Sequence, residues 1–421
     1  ADAAQVIHDL ATLITSGRLS QANRELIEST YASVYNEEGK ETALQVAQQL
    51  IVSSPEFHTT SLVRTTGEAR SPSVQAGNLD EQYKAIVYIY GFGGLDSFHM
   101  LAPFYTCDDL YQSYNKERGG ARLTWMRKLD ASSSKQPCNK FGLHMSLRAV
   151  AELYDEGKAI FFANTGHLSK PVSKHNWITE TRGQLFSHFH MMKESEYVDS
   201  FRKKAGTGVL GRMLDILQLN NYSVNANGIN GHAEMLNGDP SVPRGVDVIR
   251  SDGLDPFYPE KPSSTTSIND MKAAFRDLNA MSQINTGIYG DHWSQAFIDG
   301  EYRTAEIRGA LGDSTANTVN SFAGSAGNRL KMVSKLIRTR ELRKVNRDAF
   351  HVHLHGFDTH REMVASVNHL LTDLNRGLDA FVKEMRHINL FDQVTVVFAS
   401  EFGRTIAMNT VSGTDHAWGG N

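Results

Sequence analysis

At 421 residues, with 40% apolar and 21% charged residues, the chain has the composition of a globular protein, as one elaborated α/β domain or two to three smaller ones. A net charge of −4 with both signs intermixed excludes a basic nucleic-acid-binding surface, and no apolar run approaches the roughly 20 residues that a membrane-spanning helix needs. The sequence opens ADAAQ rather than on Met, which reads as a processed or trimmed product, consistent with a signal peptide already removed.

Residues 2–53 carry helical periodicity. Val6, Leu10, Leu13 and Ile14 form one stripe, Ser20 stands as an N-cap after the SGRLS turn, and a third helix over about 42–51 stops before Pro55. This marks residues 1–60 as a helical segment. Residues 61–82, rich in Ser, Thr and Gly, read as a linker, and the main domain is expected over 83–421. The run AIVYIY (85–90) predicts an apolar strand ending in GFGGLDSFHM. Glycines 91, 93 and 94 allow a sharp turn and a close approach to an ion or anion, and Asp96 follows at once.

From Leu101 to Gly142 the chain is loop-rich and holds its only cysteines, Cys107 and Cys138. They either form one disulfide, which points to an oxidising compartment, or remain two thiols that never meet; the disulfide is expected. LHMSLRAVAELYDEGK reads as a helix leading into a strand AIFFAN (159–164). Beyond it, Ser187 beside His188 is the leading nucleophile candidate, because a hydroxyl needs a nearby base or metal to ionise at neutral pH. Thr165 is the second choice, and an ordinary loop serine is the plain alternative. His188 and His190 alternate with Phe189, so both can face one site. TGVLGRMLDILQL reads as a short helix. Residues 220–264 dissolve into Gly, Asn, Pro and Asp and read as an insertion over the sheet edge. Helical patterns resume over 268–342, where the Lys and Arg residues of KMVSKLIRTRELRK suit a solvated helix face.

In the last seventy residues Phe350, Val352 and Leu354 alternate with His351, His353 and His355, the period-2 pattern of a strand. The three histidines either hold zinc or lie buried against a helix layer; the second reading is preferred. A long amphipathic helix from Met363 to Met385 and an apolar strand Val394–Ala399 follow. Asp358, His360, Glu401, Asp415 and His416 are expected to gather at the carboxyl ends of two neighbouring parallel strands, as a divalent-metal site. A carboxylate-heavy ligand set favours Ca, Mg or Mn, while His360 and His416 keep Zn open.

With these segments in place, the chain resembles the domain of unknown function 1501 family, which looks like a branch of the alkaline phosphatase and sulfatase superfamily. GFGGLDSFHMLAP, LRAVAELYDEGKAIFFANTG, LFSH, TGVLGRMLD, GFDTHREM, VTVVFASEFGRT and GTDHAWGG occur in the family's order over residues 84–421. Residues 8–57 more weakly resemble the end of the domain of unknown function 1800 family. The resemblance implies an α/β fold, with an alkaline phosphatase-like central mixed β-sheet flanked by helices and a one- or two-metal site at its edge. By position, Asp96 resembles the first-strand ligand and Asp358 with His360 the second group. Glu401 falls where a later Asp-His pair is usual, His416 with Asp415 completes the site, and Ser187 supplies the nucleophile. The sequence departs from the pattern in three ways. Phe402 stands where the phosphatases have a ligand histidine, SHFHMM replaces SH followed by an acidic or amide residue, and relatives continue beyond GTDHAWGG with a further strand. The expected function is a metal-dependent hydrolase of phosphate or sulfate esters, exported, acting on an anionic ester. The alternative is a catalytically silent extracellular structural or interaction protein, which keeps the fold and a metal ion and assembles with other subunits or copies of itself.

Overall fold

The computed structural model describes residues 2–60, 64–73, 77–168, 170–181, 183–199, 201, 206–242, 244–259, 262–284 and 287–419. In chain order its strands are β1 (Arg64–Ala69), β2 (Lys84–Gly91), β3 (Leu101–Pro103), β4 (Met126–Asp130), β5 (Lys140–His144), β6 (Val224–Ile229), β7 (Val246–Ile249), β8 (Met281–Ile284), β9 (Arg347–Leu354) and β10 (Val394–Ala399). Two compact units contain them.

The first unit comprises residues 1–75 and 254–309. The helices Ala3–Thr15, Gln21–Glu38 and Lys40–Ser53 close a core with Thr265–Ala280, through Ile27, Val34, Leu50, Met271 and Phe275. Ser20 caps the second helix by accepting a hydrogen bond from the Asn23 amide, satisfying one of the free N–H groups at that end. Within the expected linker, β1 is a strand that pairs antiparallel with β8.

The second unit, residues 76–253 and 310–421, is α/β. Its central sheet has the order β10-β2-β9-β6-β7, and all four pairings are parallel rather than mixed. Helices flank the sheet. Leu210 and Leu214 of the helix Val209–Leu219 pack on Val224, Ala226 and Ala349 of β6 and β9. The helices Gly324–Arg338 and Met363–His387 pack on each other, Gly377 approaching the backbone of Gly327 closely enough that a Cβ there would meet its amide at 2.9 Å. A separate antiparallel sheet, β3-β5-β4, carries the loop-rich segment, and a Cys107–Cys138 disulfide closes it. Among the described residues no helix is long and apolar enough to cross a membrane.

Several expectations change. β9 and β10 are not neighbours, because β2 runs between them, so three strand ends face the site. Residues 220–264 are no insertion over the sheet edge: β6 and β7 are strands of the sheet itself. β6 hides its nature because it reads VNANGI, yet Asn225 and Asn227 are buried. Asn225 donates to Asn227, which donates to Asp348 Oδ1. Asp348 also accepts from the Tyr83 hydroxyl (2.7 Å) and forms a fully buried ion pair with Arg343 (2.7 Å), an arginine that sequence places on a solvated face. Residues 159–164 form no strand, and Ile160 and Phe162 are 74% and 70% exposed. An apolar run becomes a strand only where a neighbouring edge supplies its hydrogen bonds.

Asp348→Ala would strand the Arg343 guanidinium without its counter-charge. Urea denaturation should show a loss of about 3–5 kcal/mol. A loss under about 1 kcal/mol would mean that the network adds nothing to stability.

Candidate metal centre

Four loops meet at the carboxyl ends of β2, β9 and β10, and a single guanidinium joins them. Arg404 is completely buried. It donates from Nε to Gly94 O (2.9 Å), from Nη1 to Thr414 O (2.6 Å), and from Nη2 to Gly93 O and to Asp358 Oδ1. Gly93 and Gly94 adopt φ +126° and +81°. A Cβ on Gly93 would overlap the backbone of Asp358, and one on Gly94 would overlap the Phe402 ring. Only glycine lets the loops nest at this spacing.

Against this frame, His188, Asp358 and His416 each offer a ligand atom within 4.8 Å of the others. His188 Nε2 lies 3.6 Å from Asp358 Oδ1, His416 Nε2 3.3 Å and His360 Nε2 3.1 Å. The other nitrogen of each ring is tied off. His188 Nδ1 meets Glu401 Oε1 at 2.7 Å, His360 Nδ1 meets Asp415 Oδ1 at 3.1 Å and His416 Nδ1 meets Phe186 O at 2.8 Å. All three partners are acceptors, so each ring directs Nδ1 outward to its partner and turns Nε2 inward towards Asp358 Oδ1. His360 Nε2 and His416 Nε2 stand only 2.9 Å apart. Two lone pairs at that distance repel unless a proton or a cation lies between them.

The expected site residues thus fall into two rows. Asp358, His188, His360 and His416 face inward; Glu401 and Asp415 stand behind them. Glu401 is 2% exposed, and its Oε1 accepts from both Gly93 N and His188 Nδ1 while Oε2 accepts from Ser400 Oγ. Asp415 accepts from Asn409 as well as facing His360, and these two contacts hold its carboxyl below the usual range. Burial pushes Asp358 upward, but the adjoining Arg404, then His416 and His188, outweigh it and hold the carboxyl low. Asp96 is engaged elsewhere: it forms a fully buried ion pair with Arg118 (2.6 Å) and accepts from the Thr414 hydroxyl. Phe402 packs against the rings of His188 (4.9 Å) and His416 (4.7 Å), closing the floor.

Ser187 sits at the N-terminus of the helix His188–Tyr197, its hydroxyl 3.2 Å from His190 Nδ1. The imidazole at its hydroxyl is therefore His190 rather than His188. Of the three strand histidines, His355 is exposed, whereas burial pushes His351 down to about 3 and His353 to about 4, each helped by a neighbouring histidine. Both are neutral near pH 7. Sequence reasoning missed Arg404 and the Phe186 carbonyl. The FGRT run offered a faint signal for the first, and none exists for a backbone oxygen.

A family model described as a protein of unknown function (DUF1501) matches residues 83–420, including every residue of this centre. The chain belongs to the DUF1501 family. No curated protein and no solved structure matches it.

In this DUF1501 chain, the helix that presents His188 also buries Glu196, which is 2% exposed. Burial first, and then the charge of Glu234, push its carboxyl up to about 7 from 4.5. The folded chain therefore holds a proton that the unfolded chain has released. The stability this gives is present below about pH 4.5 and declines as the pH rises towards about 7. Glu196→Gln should remove that decline, raising stability at neutral pH relative to the parent by up to about 3 kcal/mol in denaturant titrations. Parallel pH profiles for parent and variant would contradict this account of Glu196.

Proposed function

We propose that the protein is an exported, metal-dependent hydrolase of phosphate or sulfate esters, with an alkaline phosphatase-like site at the carboxyl edge of its parallel sheet. The observation that carries the reading is the convergence of three imidazole Nε2 atoms on Asp358 Oδ1, each ring locked from behind. Three nitrogens and one carboxylate suit zinc first and manganese next, rather than the oxygen-coordinated calcium or magnesium that the carboxylate count favoured. When bound there, such an ion would supply Lewis acidity to a phosphoryl or sulfuryl oxygen. The order of the motifs over 84–421 supports a place in the alkaline phosphatase and sulfatase superfamily, and the resemblance of residues 8–57 supports an origin beside a DUF1800 segment. The Cys107–Cys138 disulfide supports an oxidising, exported setting.

The chain's own residues divide the remaining work. Ser187 Oγ attacks phosphorus or sulfur and passes its proton to His190 Nδ1, 3.2 Å away. The ester's leaving oxygen departs with its bonding pair and recovers that proton from His190. Water then hydrolyses the seryl ester. Glu401 fixes the ring plane of His188, and Asp415 that of His360.

One observation favours a second reading, in which the ion is structural and the protein binds other subunits. Among the described residues no hydroxyl hydrogen-bonds to the four inward side chains; Ser187 meets only the neighbouring His190.

Metal content and turnover of aryl phosphates and aryl sulfates, measured on one preparation, separate the readings. The hydrolase should carry about one ion per chain. His416→Ala and Asp358→Ala should lose both ion and turnover, while Ser187→Ala should keep the ion and lose about a thousandfold in kcat. Bound metal with no turnover in the parent protein would favour the structural reading, and absence of metal would end both.

A further inference from the structure

The segment that delivers His188 to the centre also brings aromatic rings to the surface beside it. Phe186 hydrogen-bonds His416 Nδ1 through its carbonyl (2.8 Å), yet the residue is 36% exposed. Trp177 packs edge-on against that ring at 5.0 Å and is itself only half-buried. Ile178, the next residue, is 74% exposed. The core beneath has its own members: Leu185, Met191 and Phe402 are buried together, with Leu168, Val172, Trp177 and Trp418 packed against them. Phe402 in turn touches the rings of His188 and His416. Phe186 is therefore left partly open to solvent although its own backbone is bonded to an inward-facing histidine. Scattered exposed apolar residues need no explanation, but an aromatic pair whose backbone is bonded to a histidine of the centre offers a flat apolar surface next to that histidine.

We infer that Phe186 and Trp177 form a shelf for an apolar, flat leaving group of an ester whose anionic head lies at the His188–Asp358–His416 centre. The inference deepens the proposed function and rests on it. The substrate class is an aryl phosphate or aryl sulfate rather than a small alkyl ester. Stacking on Phe186 holds the leaving group to one side, so the head lies at the centre in a fixed orientation, which is the gain that positioning offers.

The test uses binding, so it does not depend on turnover. The zinc-loaded protein is titrated calorimetrically with phenylphosphonate and with methylphosphonate, whose P–C bonds cannot be hydrolysed. Phenylphosphonate should bind about tenfold more tightly or better. Trp177→Ala should reduce its affinity to that of methylphosphonate, leaving methylphosphonate binding and zinc content unchanged. Phe186→Leu, which keeps the bulk and removes the ring, should give the same loss and guards against misfolding of the alanine variant. Equal affinity of the two phosphonates for the parent protein would overturn the shelf and leave the centre standing. Failure of both to bind would overturn the anionic-ester reading of the centre, and the shelf with it.

Discussion

The arrangement of the centre depends on one buried guanidinium. Arg404 carries a full charge at zero exposure, a position whose desolvation costs several kcal/mol unless its donors find acceptors. It finds four, and they belong to three different loops: Gly93 and Gly94 after β2, Asp358 after β9, and Thr414 near the end of the described chain. Each loop is thereby fixed to the others through one rigid plane. The two glycines complete the constraint, because side chains there would drive the loops apart from Asp358 and Phe402. Asp358 is presented to the centre only because these loops converge.

Around that frame the polar groups are layered. Glu401, Asp415 and the Phe186 carbonyl each take the outer nitrogen of one histidine, and this choice of partner decides that Nε2 is the nitrogen facing inward. Asp96 works at a further remove, neutralising buried Arg118 and receiving the Thr414 hydroxyl, which steadies the loop that supplies a carbonyl to Arg404. A carboxylate at the end of a parallel strand can thus serve an ion directly, orient a histidine, or balance a buried cation. This chain uses at least the last two.

Much of the scaffold was legible in sequence. β2 and β10 are apolar runs, β9 alternates with period 2, and the helix Met363–His387 carries an unbroken apolar stripe. Those patterns report burial, which local composition encodes. β6 was illegible because its asparagines are satisfied by Asp348, a residue more than a hundred positions away, so nothing nearby marks them as core. Residues 159–164 failed in the opposite sense: the run is apolar, but no local signal says whether an edge is free to pair with it. In the centre, the position of Asp358, His360 and His416 after strands was readable. Which carboxylate faces inward was not, because Glu401 and Asp96 differ only in the partners that tertiary structure gives them.

As proposed, the nitrogen-rich centre, held from behind, binds a transition metal. X-ray absorption at the edge of whatever metal accompanies the purified protein examines the first coordination shell directly. Imidazole scattering is expected, with nitrogen and oxygen neighbours at about 2.0–2.2 Å, as for three histidines and a carboxylate on zinc. A shell of six or more oxygens at about 2.3–2.6 Å without imidazole features, as calcium gives, would contradict it.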